Sequence, residues 1–170
     1  PLVLERRDVI GGAAVTEEFH PGFRNSSASY VVSLLREEIV ADMDLRRHGY
    51  ETIPLKGSFA PLHDGRSILL TGDPDHDRAQ IGQVSNADYD AMQRFDAAMG
   101  RISDFLRDQM LREPPALGGG GLGDFVAMLR VGNQIRGLSS EDRHFLIQIF
   151  TAPAADILDR WFASDDVKAM

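Results

Sequence analysis

Apolar and polar positions follow two rhythms along this chain, a helical one and an alternating one, and the switches between them mark its elements. Residues 13–29 read as short extended pieces around the turn signal Pro21-Gly22 and end in the small polar cluster Asn25-Ser26-Ser27-Ala28-Ser29. From Tyr30 to His48, Val31, Leu34, Leu35, Ile39 and Met43 recur at helical spacing, with Gly49 as a stop, so a helix packed on one face is predicted there. Between 51 and 72 the period changes. Ser58 to His63 and Arg66 to Thr71 flank Asp64-Gly65, which predicts a β-hairpin with a two-residue type I′ turn. That turn would set Phe59 opposite Leu70 and Pro61 opposite Ile68. Pro54 and Pro61 cannot donate to a ladder and are expected at edges.

The second half is helical. Ser85 opens a stripe of Tyr89, Met92, Phe95, Met99, Ile102, Leu106 and Met110 that runs as far as Pro114-Pro115. Gly118 to Gly123 break the pattern, and Phe125 to Ile135 predict a helix ending near Gly137. Ser139 or Ser140 caps another through Phe150, and Pro153 opens one that carries Ile157, Leu158, Trp161 and Phe162. Asp165 to Met170 offer no stop signal, and there is no internal repeat.

The start of the chain carries the strongest chemical signal. The run Pro1-Leu2-Val3-Leu4 ends in Glu5 and leads through Arg6-Arg7-Asp8-Val9-Ile10 to Gly11-Gly12. The second strand of a dinucleotide-binding βαβ unit ends this way, with an acid placed to accept hydrogen bonds from ribose hydroxyls. The fingerprint also needs a strand and a glycine turn roughly 20 residues before the acid. Only four residues precede Glu5 here, so the chain is expected to be part of a larger protein.

Composition narrows the remaining classes. With 170 residues, 43% hydrophobic and 26% charged, the chain can bury one sizeable core. A net charge of −8 with scattered basic residues argues against nucleic acid as a partner. The absence of cysteine excludes disulfides, thiolate metal sites and CxxC redox chemistry. No apolar run reaches the ~20 residues needed to span a bilayer, so no transmembrane segment is expected. A cytoplasmic or organelle-interior location is expected, with no targeting segment in view.

Other motifs read more plainly as structure. Gly118-Gly119-Gly120-Gly121-Leu122-Gly123 satisfies GxGxxG, yet no strand precedes it and Pro114-Pro115 intervene, so it reads as a linker. Asp73, Asp75 and Asp77 have calcium-loop spacing, but Arg78 stands where glycine is needed and Val84 where the bidentate acid belongs. A turn and helix start is expected instead. The five histidines show no metal-ligand spacing, and only His20 lies near the presumed cofactor end. The serines form no G-x-S-x-G elbow.

The segment Val3 to Ala14, followed by Pro21-Gly22-Phe23-Arg24-Asn25-Ser26-Ser27-Ala28-Ser29, resembles the phytoene-desaturase-like branch of FAD-dependent oxidoreductases. More narrowly, it is similar to the pyridine nucleotide-disulphide oxidoreductase domain-containing subgroup. The likeness continues through Leu55 to Leu62 and Thr151 to Ala155. It implies FAD as cofactor, with Glu5 at the adenosine ribose, Arg6 towards the adenosine end, and Gly11 and Gly12 letting backbone approach the cofactor. Asn25, Ser26, Ser27 and Ser29 would lie towards the flavin and an apolar substrate. Many relatives carry a basic residue where Ala13 stands.

The resulting expectation is an α/β parent, with a Rossmann-like FAD domain and an inserted substrate domain. Residues 1–30 would belong to the former and 31–170 to the latter. This piece would be α+β, helix-rich and inactive by itself, and possible self-association is left open. A rival reading is a non-catalytic module that binds protein or lipid through apolar surface.

Overall fold

The computed structural model describes residues 2–29, 31–116 and 120–170. Pro1, Tyr30 and the Gly118-Gly119 part of the glycine run lie outside the described residues. The chain forms two compact units, Pro1–Leu55 and Lys56–Met170. It is helix-rich with two small antiparallel hairpins, compatible with an α+β piece.

In the first unit, residues 2–5 form no strand, and 6–10 follow as a series of bends. The strand expected before Glu5 is therefore not formed: the described residues give it no ladder partner. A hairpin follows, β1 (Thr16–His20) with β2 (Phe23–Ser26), irregular between Glu18 and His20. Gly22 closes its turn at φ 83°, with its N–H donated to the Glu18 carboxylate at 2.8 Å. The helix expected over 30–48 shrinks to α1 (Glu37–Asp42) and a 3-10 turn at Leu45–His48. Glu37 and Glu38 favour a helix start at that point, whereas the β-branched pair Val31-Val32 does not favour helix before it. Asp44 breaks the run from the other side, standing at φ 48° in the left-handed region. Gly49 terminates the segment at φ 90°, as its position suggests.

The second unit begins with a hairpin, β3 (Ser58–Pro61) and β4 (Ser67–Leu70). Its register differs from the expected one: Ser58 pairs with Leu70, Phe59 with Leu69, Ala60 with Ile68 and Pro61 with Ser67. The connection has three residues rather than two. The Gly65 N–H donates to the Leu62 carbonyl, and Leu62 N–H to that of Arg66 at 2.9 Å. Asp64 keeps negative φ and only Gly65 turns left-handed, at 88°. This is a type I turn with a glycine bulge. The shift leaves Ile68 fully buried and turns Phe59 and Leu69 outward as a pair. Pro61 lies in a two-stranded sheet, where every strand is an edge.

The helices are α2 (Pro74–Gly82), α3 (Asn86–Gln109), α4 (Leu122–Gly137), α5 (Ser140–Thr151), α6 (Ala154–Trp161) and α7 (Asp165–Lys168). Asp73 caps α2 by accepting from His76 N–H, so the calcium-like acidic run is a turn and helix start. Ser85 and Ser139 cap α3 and α5. The α3 helix stops at Gln109, short of Pro114, and α7 forms where no element was expected, burying Val167.

Two apolar clusters lie along α3. The first gathers Ile68, Ile81, Tyr89, Ala91, Phe162 and Val167, and the second Ala98, Ile102, Phe145 and Ile157. Phe95 and Trp161 pack against both. Phe95 meets Phe145, Trp161 and Phe162 edge-on, with ring centres 5.9, 5.4 and 5.4 Å away. These are favourable aromatic geometries that fix the angle between α3, α5 and α6.

Buried carboxylates clamp the junctions between elements. Asp77 accepts from the N–H groups of Thr71 and Gly72, fastening the hairpin exit to α2. Asp88 accepts from Ala163 and Ser164 at 2.9 and 2.8 Å, fastening α3 to the link between α6 and α7. Asp142 receives the Arg101 guanidinium and fastens α5 to α3. Each satisfies donors that would be costly if left unpaired.

Candidate functional site

The cofactor-type residues of the first unit occupy one continuous stretch. The Glu5 carboxylate is exposed and accepts from Arg7 N–H at 2.9 Å, which holds it against the bend that follows. The Arg7 side chain reaches across to Glu17 and so ties this bend to β1. Arg6 makes no ion pair among the described residues. The basic residue that organises the segment is therefore Arg7, whose long-range partner could not be read from local spacing.

Gly11, at φ 134°, requires glycine, and Gly12, at φ 54°, stands in the left-handed region that favours it. A side chain on Gly11 would also press on Val15, whereas the space beside Gly12 is open to at least 4 Å. They lead into a short 3-10 turn, Gly12–Ala14, after which Val15 is buried. Ser27 N–H donates to the Val15 carbonyl at 3.1 Å, which brings the serine cluster to the glycine turn. Within the cluster, Asn25 Oδ1 accepts from Ser26 N–H, and Ser26 Oγ accepts from Ser29 N–H. The structure thus joins Gly11, Gly12 and Ser27 through Val15. It links Glu5 only to Arg7, and none of the described hydrogen bonds joins it to the glycines.

An exposed carboxylate can accept from ribose hydroxyls, and bare left-handed backbone can come close to a planar or charged ligand. A pyrophosphate needs more, namely free N–H groups at the start of a helix after a strand. Among the described residues before α4, the N–H groups of Ala116 and Gly121 are already taken. The Asp124 carboxylate accepts from Gly121 N–H and from Ala116 N–H, both at 2.9 Å. The N–H groups of Ala116 and Gly121 hold that carboxyl below the usual carboxylate range, keeping a negative charge where a phosphate would have to enter.

The second unit holds a cleft of about 640 Å³ between α3, α5 and the end of α6. Its volume lies within the usual range for small-molecule sites. Ala97 and Ala98 leave the space, and Phe145 and Trp161 supply an aromatic wall. On the rim, Arg101 Nε donates to both Asp142 oxygens at 3.0 Å and Nη2 donates to one at 2.7 Å. The Arg101 hydrogen bonds hold the Asp142 carboxyl below its ordinary value, and the Asp142 partner raises the guanidinium. The imidazole of His144, on the same rim, pairs with the Gln148 amide at 2.9 Å. The sequence pattern marks α3 only as core, although Arg94 and Arg101, two turns apart on one face, were a usable signal. Among the described residues, no group of three or more His, Asp or Glu is placed to hold a metal ion. Among them, too, no helix is long and apolar enough to cross a membrane.

No family model matches the sequence. Curated proteins are similar to it over nearly its whole length, two of them mammalian. The chain is 37% identical over 182 aligned positions to the rat protein called pyridine nucleotide-disulfide oxidoreductase domain-containing protein 2, covering 98% of this chain. The mouse protein of the same name is 37% identical over 185 positions, again with 98% of the chain covered. The chain spans 31% of the length of each of these relatives. No solved structure matches. The likeness supports the subgroup already suggested by the N-terminal residues and points to an oxidoreductase-like protein.

Proposed function

We propose that these residues are part of an FAD-dependent oxidoreductase of the phytoene-desaturase-like kind, acting on an apolar substrate. The observation that carries the proposal is the likeness over 98% of the chain to proteins whose name describes an oxidoreductase domain. On this reading the parent has a Rossmann-like FAD domain, to which residues 1–30 belong, and a substrate domain that includes 31–170. FAD, when bound, supplies the acceptor for a hydride or electron pair.

The chain's own contributions are binding and orientation. Glu5 accepts from the adenosine ribose hydroxyls with the carboxylate oxygen that Arg7 leaves free. Arg6 lies towards the same end. Gly11 and Gly12 let backbone approach the cofactor without a Cβ between them. Asn25, Ser26, Ser27 and Ser29 line the flavin and substrate side with small side chains. No residue of the chain is assigned as catalytic acid or base.

The test is flavin retention in the full-length protein that contains these residues. Purified without denaturation, it is expected to show visible flavin absorption, and Glu5→Ala is expected to lower the FAD retained on gel filtration. Full-length protein that neither carries flavin nor takes it up from added FAD would overturn the proposal. The 170 residues by themselves are expected to bind FAD weakly, because no pyrophosphate site is formed among those described.

A further inference from the structure

We propose that the cleft between α3 and α5 is a binding site for an amphipathic monocarboxylate, such as a medium-chain fatty acid. Its apolar body would lie on Ala97, Ala98, Phe145 and Trp161, and its charge would meet Arg94. The cleft lies wholly within Lys56–Met170, so the inference does not depend on the flavin reading.

Three observations lead to this ligand class. The cleft has a roomy, mostly apolar interior, with Ala98 and Phe145 buried in the cluster beneath it. A ligand there removes its own apolar surface and that of Trp161 from water, which favours an aliphatic or aromatic body. The charges on the rim are unevenly committed. Arg101 and Asp142 neutralise each other in a forked pair, so together they form a wall rather than a receptor. Among the described residues Arg94 has no ion pair, although it lines the same opening. An unengaged guanidinium beside an apolar wall is suited to a carboxylate, which it can hold through two parallel hydrogen bonds.

The third observation limits the ligand's charge. Glu141 also lines the cleft, so a second negative group would be repelled. This favours a monoanion over a dicarboxylate, a phosphate monoester or a nucleotide. It also explains how the site would discriminate: the carboxylate selects for Arg94, Glu141 selects against extra charge, and the aromatic wall demands an apolar tail.

The full-length protein that contains these residues is titrated with decanoate, with decanol and with decyl phosphate, following the heat of binding by calorimetry. A saturable change with decanoate is expected, with weaker responses to the neutral alcohol and to the phosphate. Arg94→Gln should weaken decanoate binding by about tenfold and leave decanol unchanged, the loss of one charge-assisted pair. Arg94 is exposed, so this variant is expected to keep the fold, which its unfolding temperature will check. Ala97→Phe should fill the cleft and abolish both responses. The proposal is overturned if decanoate binding is non-saturable, if decanol or decyl phosphate binds as well as decanoate, or if Arg94→Gln leaves decanoate affinity unchanged.

Discussion

In Lys56–Met170 the apolar faces of several helices converge on two clusters joined by Phe95 and Trp161, and buried aspartates fasten the junctions. In Pro1–Leu55 only Val15 and Val40 are buried among the apolar residues described, while Leu2, Val3, Leu4, Ile53 and Leu55 are each at least 77% exposed. The first arrangement is set by burial between residues far apart in sequence. The second is set by local means: a glycine turn, a short hairpin, side chains that cap their own neighbours. A unit of the second kind has little cooperative stability and belongs to the readily opened end of the molecule. Its chemistry, if it binds a cofactor, then depends on what else covers that apolar surface.

The sharpest way to break the contrast is to remove the joint of the helical unit. Phe95→Ala is expected to cost about 3 to 4 kcal/mol, because it opens a cavity shared by both clusters. A denaturant melt followed by Trp161 emission checks this, and a loss below about 1 kcal/mol would mean the clusters are independent. Asp88→Ala comes next, at about 2 to 3 kcal/mol, since the N–H groups of Ala163 and Ser164 lose their acceptor. Asp88→Asn retains one acceptor oxygen and should lie between the two proteins.

Acid should act on the same clamps. Burial pushes the Asp88 carboxyl up, but the Ala163 and Ser164 N–H groups outweigh it and hold the value below normal. Asp142 is held low chiefly by Arg101. A carboxyl lowered by folding contributes stability that is complete above its unfolded value of about 4, declines below that, and is lost as pH falls through the folded value. The helical unit should therefore weaken below about pH 4, and Asp142→Asn should flatten that decline in melts recorded across the acid range. An acid profile unchanged in Asp142→Asn would remove Arg101–Asp142 from the list of clamps.

The smallest effects belong to the first unit. Amides of β1 and β2 should exchange with deuterium well before those of α3, and Val15→Ala should cost under about 1 kcal/mol. Protection of β1 equal to that of α3 would erase the contrast. Glu5→Ala is expected to leave the unfolding temperature unchanged, since its carboxylate holds only a neighbouring N–H. Its effect should appear in flavin retention alone.

The caps and punctuation of the helical half were legible in the sequence. Ser85, Ser139 and Pro153 act where local chemistry places them, because a cap needs only its own next turn. The register of β3 and β4 was not, since Asp64-Gly65 serves a two-residue and a three-residue turn equally well. Burial of Ile68 decides between them, and that depends on α2 and α3. The helix expected over 30–48 failed for a related reason: its apolar stripe has spacing but finds little to bury against, the buried Val40 stands outside that stripe, and Asp44 turns left-handed. Glu5, Gly11 and Gly12 could be singled out from their order in the chain. The cleft could not, because Arg94, Phe145 and Trp161 are brought together only by packing.

The Asp88 clamp has a consequence for how the protein is made. Its two donors lie 75 and 76 residues further along the chain. During synthesis, α3 leaves the ribosome with a carboxylate whose partners have yet to be translated. Contacts of such long separation form late. The start of α3 and the first apolar cluster thus stay incomplete until Phe162 to Ser164 have emerged, and a nascent chain stalled before that point would present Tyr89 and Ile81 unfinished to the cell's chaperones.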